Sequence, residues 1–169
     1  MRVLVVDDSR ANRNIARVLL ESGGHFVAEA DGGLNAVQMA SRERYDVILM
    51  DIAMPEMDGL AACRAIRALE GAVSRVPIIA WTAHDVPGMR GQTRSAGMNA
   101  YLTKPIVRSA LLSAVGAFDM NAGLQQFEAV HVRHLQVGHD EVRFRRSQHV
   151  KSFEAVCRFE ELKLSLGFQ

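Results

Sequence analysis

The sequence has little of several features that define whole classes of protein. Only two cysteines occur in 169 residues, Cys63 and Cys157, far apart and without metal-binding or redox spacing. Their scarcity disfavours a disulfide scaffold and indicates a reduced, cytoplasmic setting. No apolar run approaches the roughly 18 residues of a membrane span, and the run at the start is too short for a signal peptide. The formal net charge of +1 gives no general reason to expect nucleic acid or an anionic membrane as partner.

Short apolar runs alternate with helical patterns through the first 116 residues. The runs predict strands at 2–6, 25–30, 47–50, 77–81 and 100–103. Small or apolar residues at helical spacing predict helices from about residue 11, at 34–41, at 60–69, within 84–98 and at 107–117. This repeated alternation predicts an α/β fold, in which a parallel sheet is covered on both faces by helices and the crossovers are right-handed.

Polar residues follow four of the predicted strands at the point where each strand ends. Asp7 and Asp8 follow the first strand, Asp51 the third, Thr82 the fourth and Lys104 the fifth. In a flavodoxin-like (βα)5 sheet of strand order 2-1-3-4-5 these residues gather at one edge, where the first and third strands are neighbours. Three carboxylates at one place repel one another unless a cation or a proton is present, and hard oxygen ligands favour Mg²⁺.

Four separated motifs give the chain a family resemblance. VLVVDDS, VILMDIAMPEMDG, the TA step after the fourth strand and LTKP resemble the receiver domain of two-component response regulators, over about residues 1–116. The residues of two of these stretches, MDIAMPEMDG and GMNAYLTKPI, look more like those of hybrid histidine kinase receivers than those of DNA-binding regulators. We therefore predict a phospho-acceptor receiver domain at 1–117, followed by a C-terminal extension at 118–169.

The resemblance implies a role for each acid at the sheet edge. Asp51 would be the phospho-acceptor. Asp7 and Asp8 would hold Mg²⁺ together with Asp51 and the main-chain carbonyl of Ala53. Phosphoryl transfer has a loose transition state with charge spread over the phosphoryl oxygens, so such a site acts mainly by positioning and by neutralising charge.

The resemblance also implies roles for three residues of the last two strands. Thr82 and Lys104 would contact the phosphoryl oxygens, and Thr82 would be drawn inward after phosphorylation. Tyr101 would then change rotamer and swing into the space that Thr82 leaves. The Lys104-Pro105 step resembles a peptide bond that is cis in the family.

The implied function is phosphorelay signal transduction. The donor would be a phosphohistidine on a sensor histidine kinase or a histidine phosphotransfer protein, or a small molecule such as acetyl phosphate. The output would be a downstream protein bound near the fourth helix, fifth strand and fifth helix, with a homodimer as a further option. The protein would be a switch and not an enzyme, catalysing only its own phosphorylation and dephosphorylation.

Each of these residues also has a purely structural interpretation. Asp7 and Asp8 are typical helix-capping acids, and Asp51 could be an ordinary acid of a strand-ending turn. Lys104 could be a solvated lysine, and Tyr101 a half-buried strand residue without a function. Their shared position at strand ends is what favours the chemical interpretation.

Two other functions would also be compatible with parts of this sequence. A Mg²⁺-dependent phosphatase would share the aspartate-centred chemistry, but such enzymes usually place a second acid two residues after the nucleophile, where this chain has Ala53. A DNA-binding transcriptional regulator would need the C-terminal extension to read DNA. That extension shows no helix-turn-helix signature, so nucleic acid is not the expected partner.

Two stretches are less clear. In the extension, residues 150–166 predict one amphipathic helix, whereas residues 127–137 fit a helix or a strand. The predicted fourth helix holds Pro87, Gly88 and Gly91 within a short span, and glycine disfavours a helix by up to about 1 kcal/mol per residue. It is either a mobile output segment or a poor helix that packing holds in place.

Overall fold

The computed structural model describes residues 1–83 and 88–119, together with two short strands farther along the chain. Within the first two ranges, five parallel strands form one sheet of order β2-β1-β3-β4-β5. The strands are β1 (Arg2–Val6), β2 (Phe26–Ala30), β3 (Val47–Asp51), β4 (Ile78–Thr82) and β5 (Ala100–Thr103). The helices are α1 (Arg10–Glu21), α2 (Gly33–Arg42), α3 (Gly59–Ala68), α4 (Met89–Ala96) and α5 (Arg108–Gly116), with a 3-10 helix at Gly71–Arg75. The predicted fold and strand order are confirmed.

Helices cover both faces of the sheet, and the alternation of side chains along the strands explains why. Leu4 and Val6 of β1 pack into a buried cluster with residues of α2 and α3. Val3 and Val5 point to the opposite face and pack with residues of α1 and α5. Strands β3 and β4 are buried along their whole length, as the continuous apolar runs of a parallel sheet predict.

Two of the helices that begin near the carboxyl edge of the sheet, α1 and α3, have side-chain caps. The Ser9 hydroxyl accepts a hydrogen bond from the Asn12 backbone N–H at 3.4 Å, which caps α1. The Asp58 carboxylate accepts one from the Ala61 backbone N–H at 2.7 Å, which caps α3. The loops that follow β1 and β3 therefore pass into helices within a few residues, close to the ends of their strands.

Helix α4 has weak local sequence but a well-fixed end. It spans eight residues between Gly88 and Gly97, which both have left-handed backbone conformations. At its C-terminal end, the Cys63 thiol lies 3.2 Å from the carbonyl of Ala96, and the Arg67 guanidinium donates to the carbonyl of Gly97 at 2.9 Å. Both contacts come from α3, so at this end packing supports a helix that the internal Gly91 disfavours.

The two strands farther along the chain are β6 (Leu135–Val137) and β7 (Asp140–Val142), and they pair antiparallel. The stretch 127–137, which fits either a helix or a strand by sequence, thus ends in a strand. The amphipathic helix predicted at 150–166 lies outside the described residues. None of the helices in the described residues combines the length and the hydropathy that a membrane-spanning helix needs.

Gly59 is packed against the end of the strand that carries Asp51. A Cβ atom at Gly59 would lie 2.0 Å from the carbonyl oxygen of Asp51. We therefore expect Gly59→Ala to lower the free energy of unfolding by about 1–3 kcal/mol, because the clash is with backbone that has no room to move. Urea unfolding followed by circular dichroism measures the change.

Gly91 provides the matched control. No heavy atom lies within 4 Å of a Cβ built there, and the residue lies within α4. Gly91→Ala is expected to leave stability unchanged or to raise it by up to about 1 kcal/mol. Equal effects of the two substitutions would contradict the close packing of α3 against β3.

Candidate functional site

Three carboxylates meet at the carboxyl edge of the sheet, as the sequence predicts. One carboxylate oxygen from each of Asp7, Asp8 and Asp51 lies within 4.8 Å of the other two. They come together because β1 and β3 are parallel neighbours, with Val6 paired to Met50 immediately before two of the acids. Asp7 and Asp51 are buried, whereas Asp8 is exposed to solvent. The group therefore has one open side.

Asp7 is held by several hydrogen bonds. Its Oδ1 accepts from the Ser9 backbone N–H at 2.8 Å, and the Asn12 side-chain amide donates to Oδ1 at 3.1 Å and to Oδ2 at 3.2 Å. The Lys104 ammonium also donates to Oδ2, at 2.7 Å. A buried carboxylate with this many donors has its orientation fixed.

Arg13 fixes the backbone of the acid pair. Its Nη1 donates to the carbonyl of Asp7 at 2.8 Å and to that of Asp8 at 3.2 Å, while Nε pairs with Glu29 at 3.2 Å. The sequence motifs do not identify Arg13 or Asn12 as residues of this site. The available signal was their place in the first turns of the helix that follows the acid pair, where side chains can reach back to the strand end.

Lys104 joins strands that are far apart in sequence. Its Nζ lies 2.7 Å from Asp7 Oδ2 and 2.8 Å from Asp51 Oδ2, and only 14% of the side chain is exposed. The Lys104 backbone N–H donates to the Thr82 carbonyl at 2.7 Å, and the peptide bond to Pro105 is cis, as the family resemblance predicts. The lysine thus lies inside the acid group, and its interpretation as a solvated side chain is wrong.

Burial and charge shift the pKa values of this ion pair. Burial raises the pKa of Asp51, the Asp7 charge adds to the rise, and the hydrogen bond and charge of Lys104 oppose it. Burial alone would lower the pKa of Lys104, but its hydrogen bonds and charge interactions with Asp51 and Asp7 outweigh that effect and raise it. Lys104 is therefore an ammonium at neutral pH, and Asp51 is more easily protonated than an ordinary aspartate.

Thr82 and Tyr101 lie on the two strands next to this group. Thr82 ends β4 and is buried, one residue beyond Trp81, the β4 partner of Asp51. Tyr101 is also buried, at 4% exposure, and the Arg90 guanidinium lies 4.9 Å from the centroid of its ring. The Tyr101 side chain is thus almost fully buried, so its interpretation as a half-buried strand residue is wrong.

The donor set of the site fits Mg²⁺. Three carboxylates offer hard oxygen ligands, and the exposed side of Asp8 leaves room for the water molecules that Mg²⁺ usually retains. Ala53 lies next to this group, and its backbone N–H donates to Asp51 Oδ1 at 3.4 Å. The participation of the Ala53 carbonyl stays a prediction.

Asp51→Asn is expected to raise the free energy of unfolding at pH 7 in Mg²⁺-free buffer. Because the pKa of Asp51 is raised above 3.8 in the folded state, its charged form destabilises the fold at pH values above that pKa. As the pH falls through the folded pKa, wild-type Asp51 takes up its proton and the difference between the two proteins should disappear. Urea unfolding in a series from pH 7 down to about pH 4 measures this dependence.

Asp31→Asn is the control for this experiment. Asp31 is fully exposed, and a hydrogen bond from Asn35 lowers its pKa, so the neutral substitution should not stabilise the protein. A stability of Asp51→Asn at pH 7 equal to or below that of wild type would contradict the electrostatic account of the site.

Comparison with known proteins gives a consistent family assignment. Residues 3–116 match the model of the response regulator receiver domain. The chain is 41% identical over 149 residues to the sensor protein GacS of Pseudomonas syringae pv. syringae, an alignment covering 83% of this chain and 16% of that protein. It is 39% identical over 124 residues to the histidine-protein kinase BarA of Escherichia coli K12, covering 73% of this chain and 13% of that kinase. The chain thus spans only about a sixth or less of these relatives.

Solved structures give the same result. The receiver domain of a sensor histidine kinase from Pseudomonas aeruginosa PAO1, with a magnesium ion coordinated in its active-site cleft, is 42% identical with a TM-score of 0.65, covering 69% of this chain and 95% of that one. Chemotaxis protein CheY4 of Vibrio cholerae is 30% identical, also with a TM-score of 0.65, covering 69% of this chain and 97% of that one. With the five-stranded sheet and its acidic edge, these matches show that the chain belongs to the response regulator receiver domain family, is similar to the receiver domain of a sensor histidine kinase, and functions in phosphorelay signal transduction.

Proposed function

We propose that Asp51 is the residue that accepts the phosphoryl group. The observation that carries this assignment is the position of the Lys104 ammonium. It lies 2.8 Å from Asp51 and 2.7 Å from Asp7, at the edge where the three carboxylates meet. An ammonium at this position neutralises negative charge on a group that arrives at Asp51. The donor is a phosphohistidine on a sensor histidine kinase or a histidine phosphotransfer protein.

The hydrogen bonds of the two buried acids differ in a way that supports this choice. Asp7 accepts from a backbone N–H, from the Asn12 amide and from Lys104. Asp51 has Lys104 and, among the described contacts, only one further and longer bond, from Ala53 at 3.4 Å. A carboxylate that few donors hold keeps lone pairs available for a new bond, so Asp51 is the better nucleophile.

The phosphoryl transfer forms one bond and breaks one bond. A carboxylate oxygen of Asp51 forms a bond to phosphorus while the bond from phosphorus to the donor nitrogen breaks, and the imidazole leaves with the electron pair and takes up a proton. The product is an aspartyl phosphate. Lys104 stays protonated through the transfer and stabilises the added oxygens.

Asp7, Asp8 and Asp51, with the carbonyl of Ala53, would hold Mg²⁺. When bound, Mg²⁺ supplies positive charge that neutralises the phosphoryl oxygens and the mutual repulsion of the acids. Arg13 and Asn12 keep Asp7 and its backbone in place for this role, because they hold the strand end from the helix side.

Thr82 and Tyr101 carry the conformational change from the phosphorylated site to the protein surface. A phosphoryl group on Asp51 would draw the Thr82 hydroxyl toward it, and this shift would favour the buried rotamer of Tyr101. The surface that responds is formed by α4, β5 and α5, where a downstream protein or a second copy of the chain would bind. The switch acts on itself alone and turns over no external substrate, in line with Ala53 at the position of the second acid in aspartate-based phosphatases.

The receiver ends near residue 117 and the extension begins at 118, close to the end of α5. The chain works in the cytoplasm, where a histidine kinase can reach it.

Incubation with acetyl phosphate and Mg²⁺ tests the acceptor. Intact mass spectrometry should show one added phosphoryl group on the wild-type chain, and peptide mapping should place it on Asp51. Asp51→Asn should stay unmodified, because an amide oxygen is a far weaker nucleophile. A purified phosphotransfer protein carrying phosphohistidine serves as a second donor.

Asp31→Asn is the matched control, since it removes an exposed carboxylate outside the site and should be modified like wild type. A phosphoryl group mapped to another residue, or no transfer from either donor, would overturn the assignment of Asp51.

Mg²⁺ binding should depend on the exposed acid. Asp8→Asn is expected to weaken the affinity at least about tenfold, because one of three anionic ligands becomes neutral. Isothermal titration calorimetry of the wild type, Asp8→Asn and Asp31→Asn measures this effect. Similar affinities for all three proteins would exclude Asp8 as a ligand.

A further inference from the structure

Trp81 lies directly beside the site but has no role in phosphoryl acceptance, metal binding or switching as described above. It is the single tryptophan of the chain, on β4 opposite Asp51 of β3 and Leu102 of β5. The side chain is 2% exposed and packs into the cluster between the sheet and helices α1 and α5. Thr82, the next residue, points to the opposite face of the sheet, so the indole and the Thr82 side chain lie on different sides of β4.

The Trp81 ring contacts the Lys104 ammonium. Nζ lies 4.6 Å from the ring centroid, within the range in which a cation is attracted by the electron-rich face of an aromatic ring. Lys104 therefore has three partners around Nζ, which are the Asp7 and Asp51 carboxylates and this ring. Tryptophan has the most favourable face of the aromatic side chains for such a contact.

The indole N–H shows that apolar packing alone does not account for this tryptophan. Trp81 Nε1 is buried and has no hydrogen-bond partner among the described residues. An unpaired buried N–H destabilises the fold, and a leucine or phenylalanine would avoid that penalty. The contact with Lys104 is what the indole ring offers and an aliphatic side chain does not.

We propose that Trp81 is a positioning residue that holds the Lys104 ammonium where the phosphoryl group arrives. The proposal rests on the proposed function, since it concerns the same site. A metal ion at the acids would share both carboxylate partners of Lys104, whereas it cannot take the aromatic face. The ring thus keeps the flexible lysine side chain in place also when a metal ion is bound at the acids.

Fluorinated tryptophan gives a direct test, because a single tryptophan makes the substitution specific to this site. Fluorine weakens the negative potential of the ring face with little change in shape. In the 169-residue chain carrying mono-, di- and trifluorotryptophan, the rate of phosphorylation by acetyl phosphate should fall stepwise, to a total of about three- to tenfold. A role in packing alone predicts equal rates across the series.

Two substitutions provide the matched comparison. Trp81→Phe keeps an aromatic face and removes the unpaired N–H, so it should keep most of the wild-type rate. Trp81→Leu removes the face and should react at or below the rate of the trifluoro protein. Urea unfolding of each protein identifies the folded fraction. A Trp81→Leu protein that is folded and reacts as fast as Trp81→Phe would overturn the proposal, as would a rate that rises with fluorination.

Nuclear magnetic resonance of Mg²⁺-free protein separates this proposal from the assignment of Asp51. Lys104 side-chain protons above the ring should show upfield ring-current shifts in the wild type that are absent in Trp81→Leu. If these shifts are present but no variant is phosphorylated, the contact stands and the assignment of Asp51 fails. If the shifts are absent from the wild type, Trp81 does not position Lys104.

Discussion

The site depends on the charge balance between the Lys104 ammonium and the buried carboxylates of Asp7 and Asp51. Two ionised acids at the ends of neighbouring strands repel each other, and burial strengthens the repulsion because water no longer screens it. One ammonium within 2.8 Å of both acids offsets this effect. Since it comes from the strand at the far edge of the sheet, the same interaction also ties the ends of β1, β3 and β5 together.

Helices α1 and α3 hold different parts of the site in place. Helix α1 supplies Asn12 and Arg13, which fix the orientation of Asp7 and its backbone. Helix α3 begins directly against the end of β3, so the position of Asp51 is set by backbone packing at Gly59. The result is one rigidly held acid, one acid with few hydrogen bonds and one acid open to solvent, although all three are aspartates. Location in the fold, not residue type, decides what each carboxylate can do.

The sequence allowed the strand order and the meeting of the acids to be predicted, because both follow from buried apolar runs and from the geometry of parallel strands. Strand and helix ends differ from expectation by one or two residues, as where β4 begins at Ile78, because the last hydrogen bonds of an element are set by its neighbours. Asn12, Arg13 and Trp81 escaped prediction for another reason. Their contacts depend on side-chain directions that only the packed structure fixes, and Trp81 looks like any other core residue in an apolar run. The packing that supports α4 at Ala96 is not predictable from the sequence for the same reason.

The hydrogen bonds that anchor the C-terminal end of α4 have a mechanical consequence. Arg67 donates hydrogen bonds to the carbonyl of Gly97, to that of Ser74 and to the side-chain oxygen of Asn99, which joins α3 to the turn between α4 and β5. A helix of this length extends about 12 Å. If α4 tilts about this anchored end, the displacement of each residue grows with its distance from Gly97. The largest displacement is then near Arg90, whose guanidinium covers the Tyr101 ring.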